Sequence, residues 1–299
     1  MRVLYLGLPL GALALGRAGL VPSVACIGHP DAPGMRRSRR MMAEARALLL
    51  GAPDLEAPAV RKVLESACID VILSWFWPRR VPAAVLALAP RGAWGVHPSL
   101  LPRWRGPDPY FWAIRAGDRE TGVTLHRLTE RYDAGEIVEQ IRVPVRSDDD
   151  AWSLARRLDR PALDLLVRCA QRLARGECLV GAPQDEDAVS WARRPEPDDL
   201  VIDWRRAAEE IERLVRAAAP EPGASARLGE TPVDVLAVRI VDGRRLPRAL
   251  KPGEAWVEPD DGVLVRCGDG GAIRLERVRV ASGQQFAGPA IANLLRAQG

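Results

Sequence analysis

Four runs in the first hundred residues are apolar at strand length without alternating: residues 2–7 (RVLYLG), 24–28 (VACIG), 70–75 (DVILSW) and 93–97 (AWGVH). Runs that are apolar on both faces suit strands in the middle of a parallel sheet, covered above and below by helices. Between them, Ala59–Ala67 and Pro82–Leu88 read as helices. This order predicts a doubly wound α/β sheet, with ligands at the carboxyl ends of its strands. The pattern then changes. Residues 121–128 (TGVTLHRL) and 136–145 (EIVEQIRVPV) alternate apolar with polar, as half-buried strands do, around the turn TERYDAG. Residues 150–175 carry apolar positions at helical spacing, with Pro161 expected to kink or divide the helix. Residues 181–199 are rich in proline and acidic side chains and have no period, as in a linker. After a helix at Arg206–Ala217, the strand-like runs VDVLAVRIV, EAWVEP, GVLVRCG and AIRLERVRV are separated by Gly/Asp turns, which predicts a small antiparallel barrel. The expected division is a first domain at 1–180, a linker at 181–202 and a C-terminal domain at 203–299.

Composition narrows the class without deciding it. A chain of 299 residues, 47% hydrophobic and 27% charged, can bury a core in each of two domains. It has no apolar run long enough to span a bilayer, and no membrane role is expected. The N-terminal stretch resembles a secretory signal only superficially. Gly7, Pro9, Gly11, Gly16 and Arg17 interrupt it, so a buried strand and turn explain it better. The five cysteines (Cys26, Cys68, Cys169, Cys178, Cys267) form no C-x-x-C pair and read as buried free thiols. No metal is expected, and the location expected is the cytoplasm. A net charge of +4, carried almost wholly by arginine, tolerates a polyanionic partner without demanding one.

Candidate chemistry lies in AWGVHPSLLPRWRG, residues 93–106. His97 closes a predicted central strand, and Asp133 sits in the turn after another. Such ends converge on one cleft, where a carboxylate beside an imidazole sets its tautomer and prepares it for proton transfer. Pro98, Pro102 and Pro107 stiffen the following loop, Gly106 permits a turn, and Arg103 and Arg105 suit a substrate bearing carboxylate or phosphate. His29 reads as a loop residue.

The stretch from Val96 through "HPSLLPRWRG", the spacer "AGDRETGVT" and the Asp133-x-Gly135 turn strongly resemble the 10-formyltetrahydrofolate-dependent formyltransferases, and among them methionyl-tRNA formyltransferases. The opening "YLGLPLGA" and the joint "SWARRPEPDDLVIDW" extend the likeness over nearly the whole chain. The resemblance implies a Rossmann-like formyltransferase domain joined to a smaller OB-like barrel. It implies 10-formyltetrahydrofolate as co-substrate, bound near Trp75, Phe76, Trp77 and Arg79 and by the turn residues Arg131 and Tyr132. The acceptor amine would lie against Ser99, Leu100, Pro102, Arg103, Arg105 and Gly106, and initiator methionyl-tRNA would engage the basic run Arg36, Arg37, Arg39 and Arg40. A monomer or weak dimer is expected.

The family's catalytic set is Asn, His and Asp. The His maps to His97 and the Asp to Asp133, which orients the His and a water that relays the amine's proton. The Asn position is Gly95, so one oxyanion donor is missing, a loss that costs roughly 10²–10³ in rate in hydrolases. His126 matches a second histidine that some members carry seven residues before the Asp, and is the candidate to replace the donor. Residues 201–299 hold 15 Lys and Arg against 14 Asp and Glu. This near balance keeps formyl transfer to a small amine, such as an amino sugar or amino acid, open beside the tRNA reading. Gly95 likewise keeps open a folate- or RNA-binding relative without catalysis.

Overall fold

A computed structural model describes residues 1–259 and 262–296. Residues separate into two compact units, Met1–Pro109 with Glu120–Pro144 and Arg156–Ala192, and Tyr110–Arg119 with Val145–Ala155 and Arg193–Gly299.

The first unit is built on a seven-stranded sheet. Its strands are β1 (Val3–Gly7), β2 (Val24–Ile27), β3 (Leu48–Gly51), β4 (Val71–Trp75), β5 (Ala93–His97), β6 (Glu120–Arg127) and β7 (Ile137–Pro144), in the order β3-β2-β1-β4-β5-β6-β7. The first five are parallel, whereas β6 and β7 run antiparallel. Every residue of β1, β2, β4 and β5 is buried, as their unbroken apolar runs require. Helices α1 (Pro9–Arg17), α2 (Met35–Glu44), α3 (Pro58–Ser66) and α4 (Ala83–Leu86) make the crossovers. Leu4, Leu6, Leu64, Ile72 and Val85 belong to one buried cluster.

Two expectations about local structure change. The run expected to be kinked or divided at Pro161 is not divided: it is one helix, α6 (Ala151–Ala174), with the proline inside it. Burial of Leu158, Ala162, Leu165, Leu166 and Cys169 along one stripe offsets the lost backbone hydrogen bond. The thiols divide as well. Cys26, Cys169 and Cys267 are buried, and burial pushes each up to about 12, whereas Cys68 and Cys178 are exposed.

The second unit contains α5 (Pro109–Ala116, from Tyr110 onward) and α7 (Ala208–Ala218). Its strands are β8 (Ala224–Leu228), β9 (Thr231–Val241), β10 (Ala255–Val257), β11 (Val263–Arg266), β12 (Ala272–Val280) and β13 (Gln285–Ala287), followed by α8 (Ala290–Arg296). The sheet path is β10-β11-β12-β9-β8, with β13 also on β12, and every pairing is antiparallel. Among the described residues no helix is long and apolar enough to cross a membrane.

Candidate active site

The pairing of β5 with β6 builds the site. His97 lies opposite Thr124, and Gly95 opposite His126. Side chains two apart on a strand, and those directly across from them, share one face of the sheet. His97, His126 and the bare Gly95 are therefore neighbours, although 29 residues of chain separate the two histidines. Thr124 is buried between the strands and the loop: its hydroxyl donates to Ser99 O (2.6 Å) and accepts from Leu101 N–H (3.1 Å).

Asp133 stands between the imidazoles. Its Oδ2 is 3.5 Å from His97 Nδ1, and its Oδ1 is 3.7 Å from His126 Nε2. The two rings are nearly perpendicular, with centroids 6.5 Å apart. Each ring has its second nitrogen on a backbone carbonyl, His97 Nε2 on Trp104 O and His126 Nδ1 on Arg127 O, both at 2.9 Å. A carbonyl only accepts, so those nitrogens carry the hydrogens. The neutral rings therefore have their lone pairs at His97 Nδ1 and His126 Nε2, the two nitrogens that face Asp133. Burial holds His126 below the ordinary imidazole range. Attraction to Asp133 opposes that shift, and repulsion from His97 adds to it.

Gly95 is crowded. A Cβ there would lie 2.6 Å from Leu128 Cδ2 and 3.2 Å from His126 Nε2. The space a side chain would enter is thus already taken by two residues of the partner strand and its continuation. Gly106 is required on other grounds. It adopts φ +119°, and a Cβ would press to 2.8 Å from Ala192 O. Its N–H donates to Asp133 Oδ2 at 2.9 Å.

The proline-rich loop turns its residues in different directions. Ser99 is fully buried and donates to Arg103 O (2.6 Å), so its hydroxyl builds the turn. Leu100 and Pro102 are half-buried. Arg103 is exposed, with its guanidinium 4.3 Å from the centroid of the Trp104 ring. Arg105 is fully buried. Its guanidinium donates to Gln184 Oε1 through Nε (3.0 Å) and Nη2 (2.8 Å) and meets Glu186 at 3.0 Å. Arg105 therefore serves the loop's own architecture.

Near Asp133, a cleft of about 220 Å³ is lined by Asp54, Leu55, Glu56, Trp77, Arg79, Arg80, Pro82 and Tyr132. Of the residues expected to hold the folate, Trp77, Arg79 and Tyr132 line it. Trp75 is buried at the end of β4 with Phe76 packed edge-on at 5.0 Å, and Arg131 pairs with Glu186 at 3.0 Å. Arg79 stacks 5.1 Å from the Trp77 ring centroid and donates to Pro53 O (2.7 Å). The stretch SWFWPRR expected to meet the folate also brings Arg80 to the cleft, whereas reasoning from sequence missed Asp54 and Glu56; only their position just after β3 could have signalled them. It also missed Leu128, Gln184 and Ser190. Among the described residues no cluster of His, Cys, Asp and Glu could hold a metal ion.

A buried imidazole pair flanking one carboxylate, at the carboxyl end of a central parallel strand and beside an aromatic cleft, suits proton transfer in an α/β enzyme. Residues 26–170 match the family described as formyl transferase, and residues 195–296 match the formyl transferase C-terminal domain. The methionyl-tRNA formyltransferase of Anaeromyxobacter dehalogenans is 36% identical, with 99% of this chain and 97% of that protein covered. That of Halorhodospira halophila is 34% identical over 95% and 93%. Among solved structures, HypX from Aquifex aeolicus in complex with tetrahydrofolic acid aligns with TM-score 0.64 at 22% identity, over 96% of this chain and 46% of its own. The sugar 3N-formyl transferase WlaRD aligns with TM-score 0.66 at 14% identity, over 92% and 96%. The chain belongs to the formyltransferase family. It joins that family's N-terminal α/β domain, with its Rossmann-like parallel sheet, to a strand-rich C-terminal domain.

Proposed function

We propose that the protein transfers a formyl group from 10-formyltetrahydrofolate to the amino group of methionyl-tRNA, with His97, Asp133 and His126 at the reacting centre. The observation that carries the reading is the placing of Asp133 between the two exchangeable imidazole nitrogens, at 3.5 and 3.7 Å. Identity above a third to a methionyl-tRNA formyltransferase across 99% of the chain supports the choice of substrate.

The cleft suits a folate. Trp77 and Tyr132 offer faces for an aromatic ring, and Arg79 and Arg80 offer cations for the carboxylates at the same end of the molecule. Its volume is below the roughly 300–1,000 Å³ that encloses a whole drug-sized ligand, so it takes one end of the molecule. When bound, the co-substrate supplies a formyl carbon attached to nitrogen.

The remaining chemistry falls to the protein's own side chains. His126, kept neutral by burial, presents a lone pair at Nε2 and accepts the proton that the attacking amine must lose. Once protonated, the same Nε2–H is a donor at the position that Gly95 leaves without an amide. Asp133 stabilises that imidazolium and, with Oδ2 3.5 Å from Nδ1, orients the His97 ring. The division at 1–180, 181–202 and 203–299, an OB-like C-terminal barrel, a cytoplasmic location and a monomer or weak dimer belong to the same proposal.

The charge balance of residues 201–299 favours a second reading, in which a small amine such as an amino sugar or amino acid is formylated. The decisive experiment follows transfer of labelled formyl to methionyl-tRNA and to a panel of amines at increasing salt. Transfer to tRNA that weakens steeply with salt supports the first reading. Transfer to a small amine alone, indifferent to salt, replaces it. Binding of folate and tRNA without transfer to any amine would make the chain a non-catalytic relative.

A further inference from the structure

Residues 182–192 lie against the site as a strap. The strap begins on β7, where Ala182 and Ile137 exchange both backbone hydrogen bonds at 2.8 Å. It ends beside the proline loop, where Arg105 N–H donates to Ser190 O (2.9 Å) and Ala192 N–H donates to Arg105 O (2.7 Å). Between these anchors two side chains reach the two backbone segments that face His97.

Gln184 uses its whole amide. Its Oε1 accepts twice from Arg105, and its Nε2 donates to Asp133 O and Gly135 O, both at 2.7 Å. Arginine only donates and carbonyls only accept, so one orientation of the amide fits and a carboxylate could not replace it. Ser190 accepts at Oγ from Trp104 N–H (2.9 Å).

The two residues held in this way, Asp133 and Trp104, both have left-handed backbones, at φ +49° and +62°. Non-glycine residues adopt that region at a cost and stay there only when their surroundings over-determine them. They are also the residues that face the two nitrogens of His97: Trp104 O at Nε2 and Asp133 Oδ2 at Nδ1.

We propose that Gln184 and Ser190 are positioning residues: through the strap they hold the two strained residues that face the His97 imidazole, Trp104, whose carbonyl keeps the hydrogen on Nε2, and Asp133, whose carboxylate orients the ring from the Nδ1 side. Its consequence for turnover rests on the formyl-transfer reading; its consequence for the imidazole does not.

The test pairs Gln184→Glu, which keeps an acceptor for Arg105 but turns an acceptor toward two carbonyls, with Ser190→Ala, which removes one hydroxyl. The first readout is the ¹⁵N spectrum of the histidine side chains, His97 being assigned through its absence in His97→Ala. The second is kcat against KM. In the intact protein His97 shows a fixed Nε2–H. In both variants its nitrogen signals move away from the parent's, in Ser190→Ala toward a mixture of tautomers, while kcat falls about 10- to 100-fold and KM changes little. Nitrogen signals identical to the parent's in both variants, with kcat unchanged, would overturn the proposal. If Gln184→Glu does not fold, Ser190→Ala decides by the same readouts. If the parent formylates no amine, the spectra still decide the positioning role, and the functional reading alone fails.

Discussion

The loop after β5 and helix α2 are both arginine-rich, and they use arginine in opposite ways. In the loop Arg105 has no exposed surface and is bound by Gln184 and Glu186. On α2 the arginines stand in solvent around a buried stripe of Met35, Ser38 and Met42. Arg40 pairs with Glu44 one turn on, whereas Arg36, Arg37 and Arg39 form no ion pair among the described residues. A buried, fully paired guanidinium shapes the backbone around it. An exposed, unpaired one is free to meet a phosphate. The loop's arginine is therefore structural, and the helix is the surface proposed to meet a polyanion.

The largest effect expected is a collapse of the loop's machinery. His97→Ala and Asp133→Asn each lower kcat/KM by about 10²–10⁴, the range of a general acid–base group. Steady-state formyl transfer measures it, and full turnover in both would remove the pair from the reaction. Next, replacing Arg36, Arg37 and Arg39 together by Gln weakens tRNA binding and flattens its dependence on log salt by about one unit for each phosphate the helix no longer neutralises. Turnover at saturating tRNA stays near the parent's. An unchanged salt slope would dissolve the contrast between helix and loop.

A smaller effect belongs to Gly95. Gly95→Asn alone destabilises by about 1–3 kcal/mol, because its Cβ meets Leu128. Adding Leu128→Ala recovers part of that loss, which paired denaturation curves would show. The smallest effect is a pH dependence. The folded-state pKa of His126 lies below its ordinary value, so the unfolded chain binds its proton more readily. Its contribution is complete above the ordinary imidazole pKa and is lost as pH falls through the depressed one. His126→Gln removes this part of the acid limb in a stability–pH series. An unaltered limb would show that His126 is not buried as a neutral ring.

Much of the first unit was legible in the chain. The apolar runs ending at Gly7, Trp75 and His97 became β1, β4 and β5 because central parallel strands need no alternation. Strand β3 was missed: Leu48–Gly51 is short, partly exposed at the sheet edge and close behind a helix, so its period says little. The arginines at 36–40, read as a basic loop or the solvated face of a helix, are on α2. Helix α5 was missed because it opens on Pro109 within the turn-like stretch GPDP. Among candidate site residues, His97 and Asp133 could be named from their motif, and their approach to 3.5 Å agrees with a shared cleft. Gln184 and Ser190 carry no such signal. Each acts through partners about 50 to 86 positions away, within a segment whose composition reads only as a connection.

By itself the sequence determined the central parallel strands and the family, and it named His97 and Asp133 as the groups proposed to move a proton. Those follow from local periodicity and from motifs whose residues lie close together along the chain. Only the tertiary structure decided that His126 faces Gly95 across two strands, that both exchangeable nitrogens flank one carboxylate, and that Arg105 points inward. Register, burial and hydrogen-bond direction are properties of pairs brought together by folding, and no run of residues specifies them alone.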